Sequence, residues 1–305
     1  MTVTYKGNKL VEGTDYTLTY KKNVNAGTAT VNVNGNGEYS GTAPIKFTIT
    51  PCTISNSRIT ISGISAKTYT GKALTQAVVV KDGNKTLTSG TDYKVTYKNN
   101  TNAGTATVTI KGIGNYTGSV NKTFTIKKAA NKITASNFTR SYSASAQNIT
   151  IGAKATGGTL KYTSNNTKVK VTSAGKVTLP AKFTGTVKIT ITAENSNYNK
   201  ATKTISITVP SKTALSGVSS PAAGKMKVVW NKNTAVTGYQ IQYSLKSDFS
   251  SKKTVTISKN TQTSKTITGL TKRKKYYVRI RSFKTVSGTK YYSAWSTSKA
   301  TTIKK

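Results

Sequence analysis

The 305-residue chain contains no histidine, one cysteine and only seven acidic residues. Without histidine it can form neither a Ser-His-Asp triad nor a histidine metal site. A single cysteine, Cys52, permits no intrachain disulfide and no zinc site. We expect Cys52, which follows Pro51, to be a buried or linker residue, and a reactive thiol or an intermolecular bridge is the alternative.

The few carboxylates are scattered along the chain. They are Glu12, Asp15, Glu38, Asp82, Asp92, Glu194 and Asp248. A glycosidase needs two carboxylates that converge on one bond, and a calcium site needs several clustered oxygens. The sequence offers neither arrangement, so we predict no catalytic residue, no metal site, no cofactor and no enzymatic activity. An isopeptide crosslink in a lysine- and asparagine-rich sandwich would need a buried acid, and only Glu194 is available in the third part of the chain.

Long apolar runs are also missing. None approaches the roughly 20 residues of a transmembrane helix, so we predict no membrane insertion. The first residues lack the apolar core of a signal peptide. Residues 54–76 of the second repeat have no counterpart in the first repeat, because the matching positions would precede Met1. We therefore predict that the chain is a fragment of a longer protein. The alternative is a naturally shortened first repeat.

The chain repeats itself at an offset of 77 residues. Gly-Thr-Asp-Tyr stands at 13–16 and at 90–93, and Asn-Ala-Gly-Thr-Ala-Thr-Val stands at 25–31 and at 102–108. A fixed offset over this span indicates one duplicated folding unit. Within the shared Gly-Thr-Asp-Tyr phrase, Asp15 and Asp92 are predicted to bond backbone N–H groups of a turn.

Apolar residues alternate with Thr, Asn or Lys in segments such as 17–20, 28–33 and 45–49. This period of two predicts half-buried strands, and turn phrases such as Asn-Gly at 34–35 separate them. No helical periodicity of useful length is present. The sequence therefore predicts an all-β protein, a tandem string of antiparallel sandwiches.

Domain boundaries are predicted near Pro51, Lys128 and Pro210. They give a truncated repeat at 1–51, a complete repeat at 52–128 and a divergent unit at 129–210, which keeps Asn-Tyr at 197–198. These three units resemble bacterial immunoglobulin-like (Big-type) repeats of Gram-positive surface and secreted proteins, and the third resembles the group-2 type. The resemblance implies a fold and no site.

The fourth unit, 211–305, carries a different pattern. Trp230 ends an apolar strand, Tyr276 follows Leu270 by six residues, and Ser-Ala-Trp-Ser stands at 293–296. This unit resembles a fibronectin type III domain over its whole length. The resemblance implies that Trp230 is the core tryptophan of the second strand and that the Tyr276 hydroxyl bonds back to the chain near Leu270.

Charge is concentrated in this last unit. The chain has a net charge of +40, and residues 211–305 hold 20 of its 47 basic residues beside one acid. The candidate polyanion-binding residues are Lys272, Arg273, Lys274, Lys275, Arg279 and Arg281. The first four are predicted to lie on a loop, and the last two on a strand face shared with Tyr277. The alternative is a solvated face whose charge only discourages strand-edge aggregation.

These observations predict a non-enzymatic stalk or adhesion module, extracellular or bound to a bacterial cell wall. Its expected partner is an anionic polymer such as teichoic acid or an acidic or sulfated glycan, with nucleic acid bound only non-specifically. The alternative is a spacer within a larger extracellular enzyme that degrades polysaccharide or cell wall.

Overall fold

The computed structural model describes residues 1–305, and all of its regular structure is β-strand. The all-β prediction is therefore confirmed. The chain forms no helix that could span a membrane. It divides into two units, one of Met1–Ala129 with Ser196–Tyr198 and one of Ala130–Asn195 with Asn199–Lys305. Every sheet draws its strands from a single one of the four predicted intervals.

The first interval forms a hairpin and a three-stranded sheet of order β3-β4-β5. Its strands are β1 (Thr4–Tyr5), β2 (Asn8–Lys9), β3 (Tyr16–Lys21), β4 (Gly27–Gly35) and β5 (Thr42–Ile49). One sequence expectation was wrong here: Asn34 and Gly35 extend β4 and do not form the turn. Asn34 pairs with both neighbouring strands, opposite Thr17 and Thr42, and this ladder holds it extended.

The second interval contains the same elements and four additional strands. It comprises β6 (Cys52–Thr53), β7 (Ile59–Ser62), β8 (Lys67–Thr68), β9 (Val79–Asp82), β10 (Lys85–Thr86), β11 (Tyr93–Lys98), β12 (Gly104–Gly112), β13 (Tyr116–Thr117) and β14 (Ser119–Lys127). Four of them, β6, β7, β8 and β13, have no equivalent strand in the first interval. Strands β7 and β8 lie in the segment 54–76, and β6 directly precedes it. Strand β8 runs parallel to β14, and β7 pairs with β9.

Strands β6, β7 and β8 complete the core of the second repeat. Phe124 is only 5% exposed there, whereas the matching Phe47 of the first repeat is 38% exposed. The two phenylalanines stand at the same position of the repeated pattern. The difference therefore reflects the missing cover strands and not the local sequence.

The repeated aspartates have the predicted role. The carboxylate of Asp15 accepts the N–H of Val11 at 2.7 Å, and that of Asp92 accepts the N–H of Thr88 at 2.8 Å. Both bonds close a turn before a strand. Glu194 is exposed, so the buried acid required for an isopeptide crosslink in the third interval is missing.

The third interval forms two main sheets, of orders β16-β23-β22-β19 and β17-β21-β20, and a small pair, β15-β18. Its strands are β15 (Ile133–Thr134), β16 (Phe138–Thr139), β17 (Gln147–Thr150), β18 (Lys154–Ala155), β19 (Thr159–Ser164), β20 (Lys170–Val171), β21 (Lys176–Leu179), β22 (Gly185–Glu194) and β23 (Ala201–Val209). Apolar residues of β22 and β23, such as Ile189 and Ile207, are fully buried between the sheets.

The fourth interval is a sandwich of a three-stranded and a five-stranded sheet. Its strands are β24 (Leu215–Ser219), β25 (Met226–Trp230), β26 (Gly238–Ser244), β27 (Lys253–Ile257), β28 (Ser264–Ile267), β29 (Lys275–Val286), β30 (Thr289–Tyr292) and β31 (Lys299–Thr302). Trp230, on the second strand, is 2% exposed and packs edge-on against Tyr239 at 5.4 Å between ring centroids. The Tyr276 hydroxyl accepts the N–H of Thr271 at 3.3 Å, one residue beyond Leu270. Both roles implied by the fibronectin resemblance are confirmed.

Candidate polyanion-binding face

The long strand β29 divides its side chains between the core and an outer face. Tyr276, Val278 and Ile280 are buried, while the intervening residues are more exposed. Lys275, Tyr277, Arg279 and Arg281 therefore share the outer face, as the alternation of the sequence predicts. The Nζ of Lys275 lies 5.4 Å from the ring centroid of Tyr277.

The basic loop directly precedes this strand. Lys272, Arg273, Lys274 and Lys275 are all exposed. Two backbone bonds tie the loop to the end of the chain: Arg273 donates its N–H to the carbonyl of Ile303 at 2.8 Å, and Ile303 donates to the carbonyl of Lys274 at 3.0 Å. Arg273 has a positive φ of 60°, which bends the backbone at the centre of the loop. The loop therefore holds Lys272, Arg273 and Lys274 in solvent on a fixed backbone, whereas Lys275, which the sequence placed on the loop, is the first residue of β29.

A cleft of about 420 Å³ lies beside the loop. Its lining residues are Tyr243, Ser244, Leu245, Lys246, Ser251, Lys253, Thr268, Gly269, Leu270, Thr271 and Tyr276. The rings of Tyr243 and Tyr276 lie 6.3 Å apart, and burial raises the pKa of Tyr243. Lys246 and Lys253 are exposed at the rim. The cleft thus joins an aromatic wall to cationic groups, an arrangement that suits a sugar ring with an acidic substituent.

The two arginines of β29 are stacked between aromatic rings. The guanidinium of Arg279 lies 4.2 Å from the ring centroid of Phe249 and 4.6 Å from that of Trp295. The guanidinium of Arg281 lies 4.5 Å from Trp295 and 3.7 Å from Tyr292. We call these five alternating side chains the arginine ladder. Each cation–π contact of this kind contributes about 0.5–2 kcal/mol, depending on its exposure.

Glutamines of the neighbouring strand β26 fix both guanidinium groups. Oε1 of Gln242 accepts from Nε and Nη2 of Arg279 at 2.9 and 2.7 Å. Oε1 of Gln240 accepts from the same two atoms of Arg281 at 2.9 and 2.6 Å. These glutamines stand directly opposite the arginines in the strand register.

Each ladder arginine keeps donors for a ligand. A guanidinium has five N–H groups, and the glutamine uses two of them, so three remain on each arginine. Arg279 and Arg281 are both half-buried, and this burial lowers the pKa of each guanidinium. A partly desolvated, pre-oriented guanidinium binds phosphate, sulfate or carboxylate more strongly than a fully hydrated one.

Two serines hold the segment that carries Trp295. Ser293 donates its backbone N–H to the carbonyl of Ser282, and its hydroxyl accepts the N–H of the same residue, both at 2.9 Å. Ser296 forms the same pair of bonds with Ile280, at 2.7 and 3.1 Å. The serine hydroxyls act as backbone carbonyls would in a sheet. They position Trp295 between the two arginines.

Of the six predicted residues, Lys275, Arg279 and Arg281 share the outer face of β29, and Lys272, Arg273 and Lys274 lie on the loop that precedes it. The loop residues extend from Lys272 to the start of β29, and Arg279 lies about 13 Å further along the strand at the usual strand rise. Sequence reasoning missed Phe249, Trp295 and the two glutamines. A signal for the glutamines was present, because Gln-x-Gln at 240–242 and Arg-x-Arg at 279–281 are both patterns of period two.

One family model matches the last domain of the chain. Residues 214–299 match the model of the fibronectin type III domain. A crystal structure of three titin domains is 14% identical, with a TM-score of 0.34, and covers 81% of this chain and 99% of its own. The structure of the chicken CNTN1 FN1-FN3 domains is 14% identical, with a TM-score of 0.29, and covers 84% of this chain and 99% of its own. No curated protein matches the chain.

Proposed function

We propose that this protein is a non-enzymatic stalk or adhesion module whose fibronectin type III domain holds an anionic polymer. The observation that carries the proposal is the outer face of β29. It joins four exposed basic residues, three on an anchored loop and Lys275 at the start of the strand, to two oriented guanidiniums with free N–H groups. The tandem sandwiches supply length, and this face supplies attachment.

The chemistry of the face favours a flexible polyanion with spaced charges. Lysines of the loop add point charge, while Arg279 and Arg281 can each grip a phosphate, sulfate or carboxylate. The only acid of the domain, Asp248, is exposed and accepts the N–H of Ser250, a bond that lowers its pKa. We propose teichoic acid or an acidic or sulfated glycan as the partner, with nucleic acid bound only through non-specific charge.

The proposed location is extracellular or attached to a bacterial cell wall, in keeping with the resemblance of the first three units to Big-type repeats. A second candidate function is a spacer within a larger extracellular enzyme that acts on polysaccharide or cell wall. The aromatic cleft beside the loop favours it, because such a cleft can hold a neutral sugar as well as a charged one.

The test is the binding of the full chain to purified walls with and without teichoic acid, to a sulfated glycan and to duplex DNA, over a salt series. One variant replaces Lys272, Arg273, Lys274 and Lys275 with glutamine. Its matched control replaces four exposed lysines of the third interval: Lys161, Lys168, Lys170 and Lys176. We expect the loop variant to lose about tenfold or more in affinity for teichoic acid at low salt, and the control to lose far less.

Equal losses in the two variants would contradict a specific face. Binding of similar strength to all four polymers, vanishing together as salt rises, would mean that the charge acts generically. A neutral polysaccharide that binds the cleft and is insensitive to the loop variant would favour the spacer function.

A further inference from the structure

Two recurring phrases take no part in the basic face. Asn-Ala-Gly stands at 25–27 and 102–104, and Asn-Tyr stands at 115–116 and 197–198. The structure brings these phrases together twice within the first unit, which includes Ser196–Tyr198. Each time, a loop bearing Asn-Tyr lies against a loop bearing Asn-Ala-Gly.

The first contact joins the first repeat to the second. Oδ1 of Asn115 accepts the backbone N–H of Ala26 at 2.7 Å, and Nδ2 of Asn115 donates to Oδ1 of Asn25 at 2.9 Å. The backbone carbonyl of Asn115 also accepts the N–H of Cys52, at 2.9 Å. One asparagine thus contacts both the loop of the preceding repeat and the segment that links the two repeats.

The second contact reproduces the first, bond for bond. Asn197 accepts the N–H of Ala103 at 2.8 Å and donates to Oδ1 of Asn102 at 3.0 Å. Its backbone carbonyl accepts the N–H of Ala129 at 2.9 Å. The glycines that follow, Gly27 and Gly104, have φ angles of 134° and 137°, so the backbone turns in the same way after each contact.

The chemistry of this contact requires a side-chain amide. A backbone N–H can only donate, so the atom of Asn115 that faces Ala26 must be its oxygen. The other atom is then Nδ2, which needs an acceptor, and Oδ1 of Asn25 supplies it. Asn115 and Ala26 are half-buried, so an unmade bond here would cost more than at a fully exposed site.

We propose that the Asn-Ala-Gly loop is a recognition site for the Asn-Tyr loop of the repeat that follows it. The asparagine pair Asn25–Asn115 holds the first repeat in one orientation on the second. The site recognises another repeat of this class, and it does so independently of any polyanion bound by the fibronectin domain. It gives a tandem array a joint of defined geometry where a flexible linker would otherwise stand.

The test uses the full chain with spin labels at two matched exposed positions of the first two repeats. Lys21→Cys and Lys98→Cys are labelled in a Cys52→Ser background, and the distance between the labels is measured by pulsed electron paramagnetic resonance. We expect a narrow distribution that broadens with Asn115→Ala. The amide of Ala26 should then exchange about tenfold faster.

The matched control is Asn121→Ala, which removes an exposed asparagine of the same repeat whose oxygen accepts from Thr109 at 2.7 Å, away from the loop. It should leave both the distance distribution and the Ala26 exchange unchanged. Broadening by Asn121→Ala equal to that by Asn115→Ala would overturn the proposal, and so would an Asn115→Ala variant that behaves as the parent chain.

Charge substitutions separate recognition from mere packing. With Asn25→Asp alone, Nδ2 of Asn115 still has an acceptor, so the distribution should stay narrow. With Asn25→Asp and Asn115→Asp together, two carboxylates face each other, and the joint should open at neutral pH and close again near pH 3 as they take up protons. A double variant that remains narrow at neutral pH would refute the role of the amide pair.

Discussion

Gln242 and Arg279 stand directly opposite each other on neighbouring strands of the fibronectin domain, and one glutamine oxygen accepts two N–H groups of the guanidinium, at 2.9 and 2.7 Å. The same relationship recurs two residues away between Gln240 and Arg281. The bonds orient each guanidinium plane for stacking on the aromatic rings of the arginine ladder. The exposed face of this sandwich is therefore ordered by polar contacts as well as by its apolar core.

The first prediction concerns the geometry of the ladder. Arg279→Lys keeps the positive charge but loses the planar group that stacks on Phe249 and Trp295 and bonds twice to Gln242. We expect the fibronectin domain to lose about 1–3 kcal/mol of unfolding free energy. The measurement is the exchange protection of the buried β29 amides in the full chain.

The matched control is Arg273→Lys, which makes the same substitution on the exposed loop, where backbone bonds hold the chain. It should leave the protection of β29 unchanged. If both substitutions had the same small effect, the ladder would contribute nothing beyond its charge.

The second prediction concerns acid stability of the second repeat. Asp82 accepts from Nη2 of Arg58 at 2.9 Å and from the Tyr116 hydroxyl at 3.1 Å. The bond from Arg58 is the main cause that holds the pKa of Asp82 below its ordinary value. A carboxylate with a depressed folded pKa stabilises the fold above its unfolded pKa of about 3.9, and this stability is lost as pH falls through the folded pKa.

Asp82→Asn should therefore destabilise the second repeat at pH 6 and should flatten the decline of its stability as pH falls below about 4. Exchange of the β9 and β14 amides at several pH values measures this. The matched control is Asp92→Asn. In the parent chain the Asp92 carboxylate accepts the backbone N–H of Thr88 in a turn. A parent chain and an Asp82→Asn variant with parallel pH profiles would contradict the assignment.

Tyr116, which bonds to Asp82 in the same cluster, makes a contribution to stability that is lost at alkaline pH. Burial, followed by the bond to Asp82, raises the pKa of Tyr116 to about 12. A raised folded pKa means that its contribution is complete below the unfolded value of about 10 and is lost as pH rises towards 12. Tyr116→Phe should remove this alkaline decline in β13 and β14, and tyrosinate absorbance of the two chains should differ by one group titrating near pH 12.

Much of the fold could be predicted because its information is local. Alternation within segments of five to nine residues fixes which side chains enter the core, and the 77-residue offset fixes the duplication. Asn34 shows the limit of this reasoning. Asn-Gly favours a turn, yet ladder bonds to Thr17 and Thr42 on both sides extend the strand through it.

The site could be predicted only in part, because its missing members depend on register and loop closure. The alternation of side chains along β29 places Arg279 and Arg281 on one face. Nothing in the local sequence, however, indicates that the ring of Phe249, thirty residues earlier, lies on Arg279. The contact of Asn115 with Asn25 spans ninety residues and two repeats. Such contacts are set by the three-dimensional path of the chain, which local pattern does not describe.

The third prediction concerns the exposed face of the first repeat. Tyr20, Ile45 and Phe47 are 52%, 44% and 38% exposed because the repeat has no equivalents of β6, β7 and β8. We expect β3, β4 and β5 to exchange their amides faster than β11, β12 and β14 in a monomeric chain, since fewer apolar contacts oppose local opening. The alternative is that the first repeat borrows a strand from another chain.

Exchange mass spectrometry on the full chain at several concentrations distinguishes these outcomes. Faster exchange that does not depend on concentration supports the weaker repeat. Protection that rises with concentration, together with a dimer in light scattering, supports the borrowed strand. Equal protection of the two repeats in a monomer would refute both.

The fourth prediction rests on two glycines of the fibronectin domain that differ in the space available to an added Cβ atom. A Cβ added at Gly238 would lie 2.1 Å from the carbonyl oxygen of Ile257 and 2.8 Å from Cζ of Phe283, whereas a Cβ at Gly217 would meet nothing within 4 Å. Gly238→Ala should therefore force β26 and β27 apart and cost about 2–4 kcal/mol of unfolding free energy. Gly217→Ala should be neutral, or stabilising by about 0.5 kcal/mol, because alanine restricts the unfolded chain. Calorimetry of the full chain measures the stability of both variants, and amide exchange of β26 identifies the domain that unfolds. A Gly238→Ala variant as stable as Gly217→Ala would show that β26 and β27 pack less closely than the structure indicates.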